Sequence, residues 1–206
     1  MSGRTTFTIL HTNDMHSNLV GVSPSSDYDP STCGNDSTRG GFARLATVID
    51  RRRRAAEEIG PVLLLDAGDY SMQTAFGAAI RETGGAELQL MHAMGYDATT
   101  FGNHEFDLGP AALGLSIRKA HEAGGCPVVV ATNTECAADD PTLGELQRLL
   151  ADGLIQRHLV IERGGVRFGI FGVLGPEALA PDPFLDLLTD YGSPWGIEER
   201  TPATSS

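Results

Sequence analysis

The chain has 206 residues, room for about one to one and a half domains at ~150 residues each and for a core that needs no staple. It is 41% hydrophobic and 20% charged, which excludes disorder along its whole length, and no apolar run approaches the ~20 residues of a membrane-spanning helix. Fifteen Lys and Arg against 27 Asp and Glu give a net charge of −12; such a surface repels nucleic acid and anionic lipid, and admits a phosphorylated ligand only where a bound divalent cation reverses the local sign.

The first ten residues, Met1 to Leu10, hold too short an apolar stretch for a signal peptide, so the sequence as written predicts a cytoplasmic chain. A precursor already trimmed of its leader would read the same way. Phe7 to His11 favours a strand. Residues 41–59 follow as a helix with Phe42, Leu45, Ala46, Ile49, Ala56 and Ile59 on one face. Arg51 to Arg54 lie within it, answered by Glu57 and Glu58, and read as a solvated face. Val62 to Leu65, opened by Pro61, suits a strand buried on both faces.

Helical stretches near 74–82 and 85–94 lead to a strand at Asp97 to Phe101. A helix at 111–123 stops at Gly124-Gly125, and Pro127 to Ala131 forms a fourth strand. This alternation predicts an α/β fold with a largely parallel sheet. Ile155 to Glu162 and Val166 to Val173, joined by Arg163-Gly164-Gly165, read as a hairpin. Residues 1–175 then form one domain, and 176–206 a Pro-, Ser- and Thr-rich irregular tail broken by the apolar cluster Phe184 to Leu188. Cys33, Cys126 and Cys136 are odd in number and lack the spacing of a zinc knuckle. Free thiols fit them, with a Cys126–Cys136 bridge the alternative in an exported form.

Polar residues gather where these strands end. In an extended segment Asp14 and His16 point to the same side, and a carboxylate and an imidazole at that spacing can chelate one cation. The second strand runs into Asp66-Ala67-Gly68-Asp69, which puts the Asp69 carboxylate just past a buried strand, where it needs a cation or several donors. The third runs into Gly102-Asn103-His104-Glu105-Phe106-Asp107. Asn103 offers a neutral oxygen ligand, and if it opens a helical turn, Asp107 lies three residues from His104 and can orient its imidazole. The fourth ends in Thr132-Asn133-Thr134, with Asn133 a candidate for substrate binding. The carboxyl ends of parallel strands converge on one crevice. His11, His92, His121 and His158 read as structural.

Asp14-Met15-His16, Gly68-Asp69 and Gly102-Asn103-His104-Glu105 together resemble the calcineurin-like metallophosphoesterases. His11 to Ser17, Gly40 to Arg44 and Gly102 to Asp107 narrow the resemblance to the bacterial 5′-nucleotidase branch. It covers roughly residues 6–175 and implies a sandwich of two mixed β-sheets flanked by helices, with two divalent metal ions, zinc, manganese or similar, at the strand ends. Carried over by position, Asp14 and His16 bind the first metal, Asn103 the second, and Asp69 bridges both. His104, paired with Asp107, stabilises the phosphoryl charge and assists the leaving oxygen.

The implied reaction is release of phosphate from nucleoside 5′-monophosphates or related nucleotides by a water that two metals activate. The implied partner is a small phosphoester, with no nucleic acid or membrane. A periplasmic or secreted location fits the same branch if an export signal has been removed. The later histidines that complete this family's metal site have no counterpart: no histidine follows His158 and no Gly-His pair occurs. That departure raises the expectation of a catalytic domain truncated at its carboxyl end, with an incomplete second metal site. It keeps open a non-catalytic remnant, and the motifs equally suit a cyclic-nucleotide phosphodiesterase or a thiosulfohydrolase.

Overall fold

The structure is a computed structural model that describes residues 5–21, 39–72 and 84–175. The segment read as a helix near 74–82, the tail from 176, and Cys33 lie outside the described residues.

Five strands form a parallel sheet in chain order: β1 (Thr8–Thr12), β2 (Val62–Asp66), β3 (Ala98–Thr99), β4 (Val128–Val130) and β5 (Ile155–Gln156). Thr8 pairs with Val62 and Thr12 with Asp66, so β1 and β2 end level with each other. The connecting helices are α1 (Phe42–Glu57), α2 (Ala86–Ala93), α3 (Pro110–Glu122) and α4 (Gly144–Ala151). Spatial order equal to chain order, with right-handed crossovers, places such helices on one face of the sheet. Leu64, Val129, Ile155, Leu88, Met91, Ile117 and Leu149 accordingly form one buried core. The burial of Val62, Leu63 and Leu64 in β2 is what a central parallel strand requires.

The helix boundaries follow local chemistry. Pro110 sits at the first turn of α3, where its missing N–H costs nothing, and α1 begins after Gly41 at φ 85°. Phe42, Ile49 and Ala56 turn inward from α1 as its pattern predicts, but Ile59 lies beyond the helix and is 69% exposed. The arginine run is only partly a solvated face. Arg54 pairs with Asp50 at 3.0 Å, and Arg53 donates to the carbonyls of Met94 (2.8 Å) and Gly95 (3.1 Å) at the end of α2. Helix α4 went unread in the sequence. It follows a short 3₁₀ turn at Pro141–Leu143 whose first N–H groups are capped by Asp140, which accepts from Thr142 N at 2.8 Å.

The run Ile155 to Glu162 divides into two elements. Ile155–Gln156 closes the edge of the parallel sheet as β5, whereas β6 (Leu159–Arg163) pairs antiparallel with β7 (Val166–Ile170). The hairpin turn is two residues, Gly164 (φ 60°) and Gly165 (φ 74°), both in the left-handed region that such a turn demands. Arg163 fastens the hairpin to the sheet with a two-pronged pair to Asp97 (2.6 and 3.0 Å) and a bond to the Val62 carbonyl. Past β7 the chain returns beside β4: Thr132 N donates to the Gly172 carbonyl at 2.7 Å, and Gly172 N to Thr132 Oγ1 at 3.1 Å. A groove of about 400 Å³ opens there, between the sheet and the strand leaving the hairpin, lined in part by His11, Thr100, Val130 and Phe171. No disulfide joins Cys126 and Cys136 in this structure. No helix among the described residues is long and apolar enough to cross a membrane.

Candidate functional site

The loops after β1 and β2 run together past the sheet edge. Ala67 N donates to the Thr12 carbonyl (2.9 Å), Asp14 N to that of Gly68 (3.1 Å), His16 N to that of Asp69 (2.9 Å) and Ser17 N to that of Tyr70 (3.0 Å). The ladder thus continues, but its backbone is not extended. Asp14 (φ 54°), His16 (φ 50°), Ser17 (φ 50°) and Asp69 (φ 54°) all occupy the left-handed region. Such conformations cost roughly 1–3 kcal/mol each in residues other than glycine and cluster at functional sites. The alternation expected for an extended 14–16 segment is therefore absent. Asp14 and His16 meet in a loop curled by left-handed residues at 14, 16 and 17, not on a pleated strand.

The result is a convergence of donor atoms. His16 Nε2 lies 3.6 Å from Asp14 Oδ1 and 3.7 Å from Asp69 Oδ2. This ring nitrogen is buried and has no hydrogen-bond partner among the described residues, a costly state for a polar atom unless something else satisfies it. Ligands held ~2.0–2.2 Å from a tetrahedral cation stand ~3.3–3.6 Å apart. The two spacings around His16 Nε2 are close to that edge, and one imidazole with two carboxylates is a donor set suited to zinc or manganese. Among the described residues the group whose ligand atoms all lie within 4.8 Å of one another, and so could hold a divalent ion, is His16, Asp69 and His104. Asp14 stands beside it against His16, and the His16 and His104 rings meet edge to face at 4.9 Å.

His104 begins a 3₁₀ turn, His104–Phe106, in the loop that follows the third strand. This turn brings Asp107 round to its ring, with Nδ1 3.0 Å from Oδ2 and 3.2 Å from Oδ1. The geometry is the one the i, i+3 spacing predicts. A carboxylate only accepts, so the Nδ1–H donates to Asp107 and Nε2 is the nitrogen left for other chemistry. Burial works against the charged imidazole, but Asp107, with Asp69 and Glu105 nearby, outweighs it and raises the His104 pKa above the ordinary histidine value. The backbone N–H of His104 donates to Asp69 Oδ1 at 3.0 Å, which ties the third strand end to the second.

Glu105 was given no role from the sequence, yet its carboxylate lies under the whole site. It accepts from Asp69 N (2.9 Å), Gly102 N (2.7 Å), Ser71 N (2.9 Å) and Ser71 Oγ (3.0 Å). Burial pushes its carboxyl up to about 7 against the pull of those three backbone N–H groups. The sequence signal for it is its place in the Gly102-Asn103-His104-Glu105 motif. Asp66 is a second buried carboxylate. It accepts from Thr12 Oγ1 (2.7 Å), Thr99 Oγ1 (2.8 Å) and Gly68 N (3.0 Å), so it braces the turn that delivers Asp69.

Asn103 is exposed beside His104 at the start of the 3₁₀ turn. Asn133 stands at the end of the fourth strand as expected, but both sides of its amide engage Leu174: Nδ2 donates to the Leu174 carbonyl at 2.8 Å and Oδ1 accepts from Leu174 N at 3.0 Å. No hydrogen bond or ion pair joins it to His16, Asp69 or His104 among the described residues. Strand order and the level ends of β1 and β2 thus bring Asp14, His16, Asp69, His104 and Asp107 together, with Asn103 at their margin and Asn133 occupied elsewhere.

Several known proteins are similar to this chain in sequence or in fold. The 5′-nucleotidase of Bos taurus is 48% identical over 107 residues, 52% of this chain and 17% of that protein. The crystal structure of a 5′-nucleotidase precursor from Thermus thermophilus superposes with a TM-score of 0.60 at 32% identity, covering 85% of this chain and 30% of that one. A sulfate thiohydrolase of the same organism shares the fold alone, with a TM-score of 0.60 at 15% identity over 89% of this chain and 38% of its own. The chain therefore spans less than a fifth of the bovine protein it matches. The family model for calcineurin-like phosphoesterases matches residues 7–187, across every strand end described above, and the chain belongs to that family.

Proposed function

We propose that this chain hydrolyses phosphomonoesters, with nucleoside 5′-monophosphates as the substrate class. The observation that carries the reading is the buried Nε2 of His16, without a hydrogen-bond partner among the described residues, between the carboxylates of Asp14 and Asp69. Asp14, His16 and Asp69 would hold one divalent ion, and Asp69 with Asn103 a second. Bound there, the ions would supply positive charge against the phosphoryl oxygens and lower the pKa of the attacking water. Their charge would also make the pocket locally cationic in a chain of net charge −12.

The chain's own residues handle the leaving group. Asp107 fixes the His104 tautomer and favours its charged form, which keeps a proton available at Nε2. That proton passes to the ester oxygen as the P–O bond breaks and water adds to phosphorus, so the products are phosphate and an alcohol. The nucleotide class rests on the similarity to 5′-nucleotidases, at 48% identity in the bovine case. The acidic surface argues against a nucleic-acid partner.

The test is phosphate release from adenosine 5′-monophosphate with Mn²⁺ or Zn²⁺ present, comparing the chain with His104→Ala. Loss of the acid should slow turnover by about 10²–10⁴-fold. Equal rates in the two proteins would remove His104 from the mechanism, and no phosphate release with either metal would refute the activity.

A further inference from the structure

Asp69 is the residue on which the site's geometry turns: one carboxylate oxygen faces His16 and the other faces the backbone of His104. It sits at φ 54°, a left-handed conformation that costs roughly 1–3 kcal/mol outside glycine. We propose that Glu105 is the positioning residue that stabilises this conformation, locking the β2 and β3 loops together so that Asp69 presents its carboxylate beside His16 Nε2. The inference rests on the metal-binding reading above and deepens it.

The lock is specific in its atoms. Glu105 Oε2 accepts from both Asp69 N and Gly102 N, and Oε1 accepts from Ser71 N and Ser71 Oγ. One side chain thus grips the residue itself, the residue two beyond it on the same loop, and the start of the facing loop. The loops are already in contact: a Cβ on Gly68 would come 2.5 Å from Gly102 N, and one on Gly102 would come 2.7 Å from Asp69 N. Two backbones this close leave no room for a side chain between them, so their relative placement is set by what bonds them. The Glu105 side chain is buried at 4% exposure and carries no bond to a side chain other than Ser71 among those described. Its carboxylate is spent on backbone N–H groups around a ligand, which is how outer partners orient metal-binding side chains.

Mn²⁺ affinity, read by isothermal titration and by the Mn²⁺ electron paramagnetic resonance spectrum of the full chain, tests the proposal. Glu105→Gln keeps the shape but offers one acceptor oxygen in place of two, and should weaken Mn²⁺ binding about 10–100-fold. Glu105→Asp keeps the charge but falls a methylene short, and serves if the glutamine variant does not fold. Asp97→Asn, which breaks the pair with Arg163 away from the site, provides a protein of lowered stability whose Mn²⁺ affinity should stay within about twofold. Asp69→Asn reports on the metal reading itself. Weakened binding in the Glu105 variants but not in Asp97→Asn supports the assignment. Wild-type affinity in a folded Glu105 variant overturns it, and so does an equal loss in a stability-matched Asp97→Asn. If Asp69→Asn also binds like the wild type, the metal reading fails along with it.

Discussion

Asp66 offers a demanding test of how the strand ends are held. Replacing it by alanine removes the acceptor for three groups at once, and two of their owners, Gly68 and Thr99, are buried. Thr99 Oγ1 keeps the Thr100 carbonyl at 3.3 Å, so Gly68 N is the buried donor left stranded, which predicts a loss of about 2 kcal/mol. In a chain of this size that lowers the melting temperature by about 4–8 °C. Asp66→Asn should be far milder, because the amide oxygen still accepts from Gly68 N and the amide N–H groups can donate to the threonine hydroxyls.

The same pair of proteins fixes the sign of a pH effect. Burial raises the Asp66 pKa, against the hydrogen bonds from Thr12, Thr99 and Gly68. The folded state then holds its proton to higher pH than the unfolded chain does. The stability this confers is complete below the ordinary carboxylate pKa and is lost as pH rises through the folded value. Thermal melts at a series of pH values should therefore show the wild type losing ground to Asp66→Asn as pH rises across that window. An alanine variant that melts within about 3 °C of the wild type would refute the reasoning, as would a wild type that gains on Asp66→Asn with rising pH.

Further outcomes follow from other places in the fold. Burial pushes the Cys126 thiol up to about 12, so at pH 8 its thiolate fraction is ~10⁻⁴ against ~0.2 for a free cysteine. Alkylation of Cys126, followed peptide by peptide in a mass spectrometer, should be slower in the native chain than in urea by about three orders of magnitude. A Cβ at Gly172 would overlap the Val130 carbonyl and Thr100 Oγ1, whereas one at Gly144 would meet nothing. Urea melts should show Gly172→Ala destabilised by about 1–3 kcal/mol and Gly144→Ala unchanged or slightly more stable; the reverse order would contradict the packing described. Asp97→Ala should cost about 2–3 kcal/mol, chiefly because Leu64 N loses its acceptor at 2.9 Å.

What could be read in the sequence was local or periodic. Pro61 with the apolar run behind it marks β2, the Gly-Gly turn marks the hairpin, and the three-residue spacing from His104 to Asp107 marks a pair that one helical turn joins. Placing the chemistry at strand ends needed only the alternation of elements and the convergence of parallel strands. The shape of the 14–17 loop was not readable, because its left-handed residues are held by bonds to residues 68–70, more than fifty positions away. Glu105 escaped for a related reason. Its partners are backbone N–H groups, which every sequence contains, and only the tertiary fold brings those of Asp69, Ser71 and Gly102 within reach. The division of β5 from β6 reflects which sheet each strand finds, a choice made at residues 157–158 that no periodicity signals.

The central claim is that a divalent ion held by Asp14, His16 and Asp69 supports phosphoester hydrolysis, and metal removal and return test it most directly. The chain is stripped with a chelator, and phosphate release from adenosine 5′-monophosphate is measured before and after Mn²⁺ is restored, beside Asp69→Asn treated identically. The account predicts that stripping abolishes release, that Mn²⁺ restores it in the wild type, and that the variant stays inactive. Release that persists undiminished in the stripped protein, or returns equally in Asp69→Asn, would contradict it.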